Sequence, residues 1–211
     1  PNQASRIGNY TQIFAQSAQV SNTLESVDKA GRAKEVAYQK VLKALEQRRD
    51  IDKTLCASVA QSSSEPRKFG TIEAYISNTS DAGDATAITN HNGANLRTDG
   101  TARSLTLAMI DTVMQACYSD GGQPDMLVVS PSKKATFSDL SSGSVVTNQL
   151  HMTSPQEATI IGSVSMYLTD FGTLDVVIDR NMQDDRVYLM DSEYMAMGAL
   201  PNRQFSTIEV A

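Results

Sequence analysis

The chain has 211 residues, of which 40% are hydrophobic and 20% are charged, and its formal net charge is -6. This composition predicts an ordinary globular protein with one large domain or two small lobes, and the acidic balance argues against direct nucleic-acid binding as its main role. No stretch approaches the roughly 20 consecutive apolar residues that cross a bilayer, and no basic segment followed by an apolar one indicates secretion.

The N-terminal part of the chain predicts an arm followed by a long helix. Residues 7–20 scatter apolar side chains among Thr, Gln and Ser without a helical face, and we interpret them as an extended arm or half of a hairpin. Apolar residues then recur mostly every three or four positions, which predicts a helix over about residues 28–60. The Ser-Ser-Ser-Glu-Pro run at 62–66 is expected to end this helix.

The middle of the chain predicts a loop and a second helix. A short apolar element at 69–76 precedes residues 78–100, which are rich in Asn, Asp, Gly and Thr and which we predict to be a long loop. Assembly contact is one candidate role for a loop of this length. Thr106 is placed as the N-cap of the second helix, and Gly121-Gly122 is placed at its end. Its inward stripe consists of Met109, Ile110, Val113, Met114 and Cys117.

A strand leading directly into a helix comes next. Residues 126–129 are uniformly apolar, which predicts a strand buried on both faces. Ser130 and Pro131 then fit the N-cap and the first residue of a helix.

The C-terminal third predicts further strands. A polar loop is expected through Met152 and Pro155. Alternating apolar residues then predict a hairpin with its turn at 170–173, with Val164, Met166, Leu168, Leu174, Val176 and Ile178 as the apolar set. Two more alternating strands are predicted at 187–189 and 195–199. Together these elements indicate an α+β fold.

Ser130, Ser132 and Lys133 lie in a weak match to a catalytic motif. Ser130-Pro131-Ser132-Lys133 fits the Ser-x-x-Lys pattern of some acyl-transfer enzymes. However, Ser130 is already expected to cap a helix, and the Ser-Asp-Asn and Lys-Thr-Gly partner motifs are absent from the sequence. Capping is therefore the favoured interpretation.

The cysteines, histidines and aspartates offer other candidate chemistry. Cys56 or Cys117 could pair with His91 or His151, but buried, reduced thiols inside helices and solvated imidazoles are favoured. Neither histidine nor cysteine spacing fits structural zinc. The carboxylates that could bind a cation do not fit a calcium loop and are interpreted as solvated turn residues: Asp179, Asp184 and Asp185, and Asp81 with Asp84. We therefore predict no catalytic residue, no cofactor and no metal.

Five methionines lie on or beside the predicted C-terminal strands. Ordinary core filling is favoured for them, with an adaptable contact surface as the alternative. They are Met166, Met182, Met190, Met195 and Met197.

A series of short motifs resembles one protein family. In chain order, the motifs are Arg6–Phe14, Ala30–Arg32, Ala37–Gln39, Arg48–Ile51, Ala116–Asp125, Asp170–Leu174, Val176–Val177, Arg180–Met182, Asp191–Tyr194 and Ala199–Pro201. With these matches in order, the chain resembles the major capsid proteins of tailed bacteriophages of the SU10 type, in the HK97-like fold group. The resemblance covers nearly the whole chain but is poor at 141–161, and the family is longer on the N-terminal side.

The resemblance implies an HK97-like arrangement of domains. Residues 1–24 would be an arm that forms the returning strand of an extended loop, whose earlier part is expected to be missing here. Residues 25–65 and 163–211 would form the peripheral domain around a long spine helix. Residues 66–162 would form the axial domain, whose loops meet at the centre of each hexamer or pentamer.

The same resemblance implies a structural function and not an enzymatic one. The chain would be a subunit of an icosahedral virion capsid that self-assembles into hexamers and pentamers around double-stranded DNA, in the cytoplasm of the bacterial host. Its main partner would be itself, with scaffold, portal and cement proteins as further candidates, DNA contacted only non-specifically, and no membrane. An encapsulin-like nanocompartment is the alternative, because a fold does not fix its cargo. An enzyme that uses Ser130 or a cysteine is the third hypothesis.

Within the arm, five residues are predicted to contact a neighbouring subunit. They are Arg6, Ile7, Tyr10, Ile13 and Phe14. The segment is too short and too polar to form a core of its own. We therefore expect Tyr10 and Phe14 to find no partner in their own chain and to bury their rings against another subunit.

Overall fold

The computed structural model describes residues 6–27, 30–31, 34–76, 80–81, 83, 92–144, 151–154, 157–159 and 165–201, the side chains at 141–144, 151–154 and 157–159 excepted. Nearly half of the predicted loop at 78–100 lies outside these residues, as do His91 and Asp84. The chain divides into two compact units. The first consists of Pro1–Tyr75 with Ile88–Leu96, and the second of Ile76–Ala87 with Arg97–Ala211.

The first unit is built around the predicted long helix, which is confirmed but shorter than expected. Residues 6–20 contain neither helix nor strand, as an arm requires. Helix α1 is Asn22–Ser26, capped by Ser21, and helix α2 is Glu35–Leu55. Lys34 gives α2 no side-chain cap. Instead, the carboxylate of Glu25 accepts hydrogen bonds from the backbone N–H groups of Glu35 and Val36, at 3.0 and 3.3 Å. It thus satisfies two of the donors that a helix start leaves open.

The Ser-rich run at 62–66 does not end the helix, and that expectation is wrong. Helix α2 ends at Leu55, and the run lies inside a small antiparallel turn. Ser62 and Lys68 exchange two backbone hydrogen bonds of 3.0 and 3.1 Å across it. A 3-10 helix, Ile72–Tyr75, takes the place of the predicted element at 69–76.

The second unit contains a four-stranded mixed sheet covered by two helices. In chain order, its elements are α3 (Leu107–Ser119), β1 (Met126–Val129), α4 (Pro131–Ser144), β2 (His151–Ser154), β3 (Glu157–Thr159), β4 (Met166–Thr169), β5 (Gly172–Ile178), β6 (Tyr188–Met190) and a 3-10 helix (Ser192–Tyr194). The sheet order is β4-β5-β1-β6. Strand β1 is central, parallel to β5 and antiparallel to β6. A central strand with cover on both faces explains the uniformly apolar run at 126–129.

The predicted ends of α3 and the start of α4 are confirmed. The Thr106 hydroxyl accepts a hydrogen bond from the N–H of Met109 at 3.3 Å. At the other end, Gly121 has φ +91°, and the N–H of Gly122 donates to the carbonyl of Cys117 at 2.9 Å. The left-handed φ explains why glycine follows this helix. Ser130 caps α4, and Pro131 is its first residue.

The hairpin of β4 and β5 is confirmed, but the buried face of β4 is the opposite of the predicted one. Met166 and Leu168 are exposed, the latter at 74%. The hairpin pairs Tyr167 with Leu174, and cross-strand partners share a face of the sheet. Because Leu174 is fully buried, Tyr167 faces inward with it and packs edge-on against Phe137, at 5.6 Å between ring centroids.

Two further expectations about the C-terminal third are wrong. Residues 195–199 form no strand, although 187–189 largely coincides with β6. The expected polar loop around Met152 contains a paired hairpin, β2 with β3.

The core of the second unit joins α3, the sheet and α4. Its buried members are Ile110, Met114, Leu127, Val129, Phe137 and Leu174. The inward stripe predicted for α3 is therefore correct at Ile110 and Met114, while Met109 and Val113 are half-buried at its margin.

Replacing Met114 by Ala should destabilise the protein by about 2–5 kcal/mol, because it removes a buried side chain and leaves a cavity. The matched change Gln115→Ala, at the next and exposed position of α3, should alter the free energy of unfolding by less than about 0.5 kcal/mol. Urea denaturation of both variants measures the difference. Equal effects at the two positions would mean that α3 presents another face to the core.

Candidate interaction surface

Helix α2 is unusual in how little of it is covered. None of its 21 residues is buried. Tyr38, Val41 and Leu45 are exposed, Val41 at 60%. Their spacing of three and four places them on one side of the helix, and we call these three residues the helix face. Contiguous exposed apolar side chains indicate an interaction site, whereas scattered ones do not.

The opposite side of α2 carries the arm of the same chain. The side chain of Gln47 donates to the backbone carbonyl of Phe14 at 2.8 Å, and the amide of Gln16 donates to the carboxylate of Asp50. With 3.6 residues per turn, Gln47 and Asp50 lie about half a turn around the helix from the helix face. These two hydrogen bonds between the arm and α2 therefore lie on the side of the helix away from the helix face.

Polar side chains also fasten the arm to the segment that leads into the 3-10 helix. The amide of Asn9 donates to the carbonyl of Gly70 at 2.9 Å and accepts from its N–H at 2.7 Å. Gln12 accepts from the N–H of Phe69 at 3.4 Å, and the Tyr75 hydroxyl donates to the carbonyl of Gly8 at 3.2 Å. These bonds hold the arm without requiring its apolar side chains to be buried.

Those apolar side chains lie beside or between the anchoring residues and are exposed. Ile7, Tyr10 and Ile13, which we call the arm ridge, all belong to the exposed large hydrophobic residues, Ile13 at 90%. Arg6 is exposed as well. Four of the five predicted interface residues are thus accessible to a partner, although their contact with another subunit stays a prediction.

Phe14 differs from the other four. Its ring is half-buried, with its centroid 6.1 Å from that of Phe69 and an angle of 53° between the ring planes. The expectation that Phe14 has no partner in its own chain is therefore wrong. No local pattern indicates this pairing, because the two rings are far apart along the chain.

In the second unit, the Ser-x-x-Lys match forms a polar network at the start of α4. Ser130 is fully buried, and its hydroxyl accepts from the N–H of Lys133 at 3.3 Å and lies 3.0 Å from the Ser132 hydroxyl. Ser132 donates to the carboxylate of Asp184 at 2.5 Å. Hydrogen bonds from Ser130 and Ser132 hold the pKa of Asp184 below its usual range. This arrangement caps the helix and ties the turn before β6 to it.

The cysteines lie in settings that disfavour a reactive thiolate. Cys56 is buried at the C-cap of α2, not in the helix interior as predicted, and Cys117 is half-buried within α3. Burial, with the nearby charge of Asp120, raises the pKa of the Cys117 thiol, so the thiol form is favoured. A pairing with His91 or with the side chain of His151 lies outside the described residues.

The other candidate carboxylates make local contacts. Asp81 forms an ion pair with Arg103 at 2.6 Å, and Asp185 lies 3.5 Å from the guanidinium of Arg186. Asp179 accepts from the N–H of Asn181 at 2.8 Å. They are therefore not simply solvated, as the sequence suggested.

The methionines divide between the two interpretations. Met182 is buried and Met190 is half-buried, as core filling predicts. Met166, Met195 and Met197 are exposed.

The chain was compared with known protein families and with curated proteins. The family model of the SU10 major capsid protein matches residues 2–211. No curated protein matches the chain. Among the described helices, none has the length and apolar character that a membrane span needs.

The network at α4 predicts a pH-dependent contribution of Asp184 to stability. A pKa lowered by folding stabilises the protein above the unfolded pKa of an aspartate, and this stabilisation is lost as the pH falls through the lowered value. Asp184→Asn should therefore lower the urea midpoint at pH 7, and the gap from the unmodified chain should close in acid.

Ser132→Ala, which removes one of the two serine hydroxyls that hydrogen-bond to this carboxylate, should behave in the same way. Urea midpoints recorded across a pH series check both variants. A gap that is constant with pH would show that Asp184 contributes nothing through its charge.

Proposed function

The chain belongs to the SU10 major capsid protein family, and we propose that it assembles into the hexamers and pentamers of an icosahedral shell that encloses double-stranded DNA. A major capsid protein is a structural subunit of the bacteriophage virion, not an enzyme. The observation that carries the proposal is the pair of exposed apolar surfaces on the first unit. A monomer gains nothing from them, whereas a shell subunit requires contacts of this kind.

The HK97-like division of the chain is part of the proposal. Residues 1–24 would be the arm, 25–65 and 163–211 the peripheral domain, and 66–162 the axial domain. Helix α2 would then be the spine of the peripheral domain. The exposed arm ridge supports the view that residues 1–24 reach over a neighbouring subunit.

The charge of the chain bears on how the shell would be filled. With a net charge of -6, the subunit has no general attraction for the phosphate backbone. Contact with packaged DNA would be non-specific, and packaging would depend on other machinery. Scaffold, portal and cement proteins are candidate partners in this proposal, and assembly would take place in the host cytoplasm.

The encapsulin-like alternative has less support, since the family model that matches is that of a phage capsid protein. Genes for a terminase and a portal beside this one would favour the phage, and a gene for a cargo enzyme would favour the nanocompartment. Electron microscopy of purified particles separates both from a soluble monomer.

The double change Tyr10→Ala and Ile13→Ala should leave the subunit folded with a nearly unchanged thermal midpoint, because both side chains are exposed in it. Burial of such side chains is worth roughly 1.5–3 kcal/mol each, and this is multiplied over every contact of a shell. The variant should therefore fail to form closed particles in sedimentation and electron microscopy.

Phe14→Ala is the matched comparison within the arm. Since Phe14 packs against Phe69, this change should lower the thermal midpoint of the subunit itself. If the double variant instead unfolds, or assembles like the unmodified chain, the arm ridge is not an interface.

A further inference from the structure

The side chain of Tyr75 touches both the arm and a second segment of the first unit. Its hydroxyl donates to the carbonyl of Gly8, in the arm, at 3.2 Å. The far end of the same ring packs against Gly93, where a Cβ atom would lie only 2.5 Å from the Cζ atom and from the hydroxyl oxygen of Tyr75. Gly93 belongs to the stretch Ile88–Leu96 of the first unit. We call residues 92–94 the return segment.

The return segment is held by hydrogen bonds from Gln61. The N–H of Gln61 donates to the carbonyl of Gly93 at 2.8 Å, and its side-chain amide donates to the carbonyl of Asn92. Gly93 is buried and has φ +74°, a conformation that glycine adopts without strain. The missing side chain at this position leaves the space that the tyrosine ring fills. A larger residue there would have to displace the ring.

The same ring also packs beside the residue that anchors the arm. A Cβ atom on Gly70 would lie 3.2 Å from the ring of Tyr75 and 3.2 Å from the carbonyl oxygen of Gly93. Gly70 is buried, and its backbone N–H and carbonyl both bond to the side chain of Asn9. The anchor of the arm, the tyrosine ring and the return segment therefore form one closely packed group.

We propose that Tyr75 couples the docking of the arm to the position of the return segment, so that release of either one loosens the other. Closely packed groups move between discrete arrangements and do not deform continuously. A ring displaced by the return segment therefore gives up its hydrogen bond to the arm. Such coupling is reciprocal, because each site changes the equilibrium of the other by the same factor.

This inference concerns a single chain and stands apart from the proposed function. Its consequence is that a contact made with the return segment changes how firmly the arm is held. The arm ridge would then be presented to a partner in a way that depends on a distant part of the sequence.

Hydrogen exchange of two backbone amides measures the two positions separately. The N–H of Gly70 donates to the arm and is protected while the arm is docked. The N–H of Gln61 donates to the return segment and is protected while that segment is in place. The N–H of Ser62 bonds within the neighbouring antiparallel turn and is the internal reference. Exchange is followed by mass spectrometry with residue-level fragmentation on the full chain, with all variants in the same assembly state.

Gly93→Ala, which lies outside the arm, should raise the exchange rate at Gly70 by about 2- to 10-fold, the factor that corresponds to the loss of one hydrogen bond. In the reverse direction, Asn9→Ala should raise the exchange rate at Gln61 by a similar factor, because release of the arm loosens the return segment. The reference amide of Ser62 should keep its rate in both variants.

Gly31→Ala is the matched control for backbone strain. Gly31 has φ +96°, so alanine is strained there as it is at position 93. Among the described residues, however, its Cβ would meet nothing within 4 Å. This variant should leave the exchange rates at Gly70 and Gln61 unchanged.

Removal of the ring tests whether Tyr75 itself carries the coupling. In a Tyr75→Ala chain, Gly93→Ala should no longer change the exchange rate at Gly70, because no ring is left to displace. If Tyr75→Ala does not fold, Tyr75→Phe serves instead, since it keeps the ring and loses only the bond to Gly8. Gly93→Ala should then add less to the rate at Gly70 than it does in the unmodified chain.

An unchanged rate at Gly70 in Gly93→Ala, or at Gln61 in Asn9→Ala, would overturn the proposal. So would a full effect of Gly93→Ala in a chain that lacks the ring. Faster exchange at Ser62 by the same factor would show a general loosening of the first unit and would equally rule out a specific coupling.

Discussion

Helix α2 is long and its start is fixed by hydrogen bonds, yet none of its residues is buried. The other contacts of the first unit depend on this exposed helix. Most helices in globular proteins are stabilised by burial of an apolar face. Here the carboxylate of Glu25 accepts hydrogen bonds from the backbone N–H groups at the start of the helix. One side of the helix is joined to the arm by hydrogen bonds from side-chain amides. The apolar side chains of Val41 and Leu45 stay largely exposed within the part of the chain that the structure describes. The free energy available from covering them is left for a partner.

Polar side chains fix the position of the arm, and its apolar side chains stay exposed. Asn9, Gln12 and Gln16 supply the side-chain amides that bond to Gly70, Phe69 and Asp50. Tyr10 and Ile13 lie between these anchors and Ile7 lies just before the first of them, and all three remain exposed. An amide group supplies a donor and an acceptor in one side chain, so it can satisfy backbone groups where no strand pairs with them. The composition that looked merely polar in the sequence therefore fixes the position of the arm.

Local sequence patterns correctly predicted the features that depend on a few adjacent residues. They were less reliable for features that depend on how one strand pairs with another. The caps at Thr106 and Ser130 and the glycine end of α3 follow from the side chain and backbone of a few adjacent residues, and all three are confirmed. The face of β4 depends on its register with β5, which pairs Tyr167 with Leu174 and turns Leu168 outward. Alternation alone marks two faces but does not say which one meets the core. Residues 195–199 alternate as well, yet alternation without a paired neighbour makes no strand.

The same distinction limits what the sequence could say about the interaction surface. Exposure of the arm ridge was predictable, because the few apolar residues of this short segment lie among polar ones and cannot build a core. The partnership of Phe14 with Phe69 and the open helix face were not, since both depend on where the arm lies against α2. If the arm lay across Val41 and Leu45, these two side chains would be buried within their own chain. Because it lies on the other side, the first unit keeps two apolar surfaces, while the second unit buries its core from Ile110 to Leu174 within itself. The described part of the second unit also carries exposed apolar side chains, among them Leu168, Tyr194 and Met197, so apolar surface is left uncovered on both units.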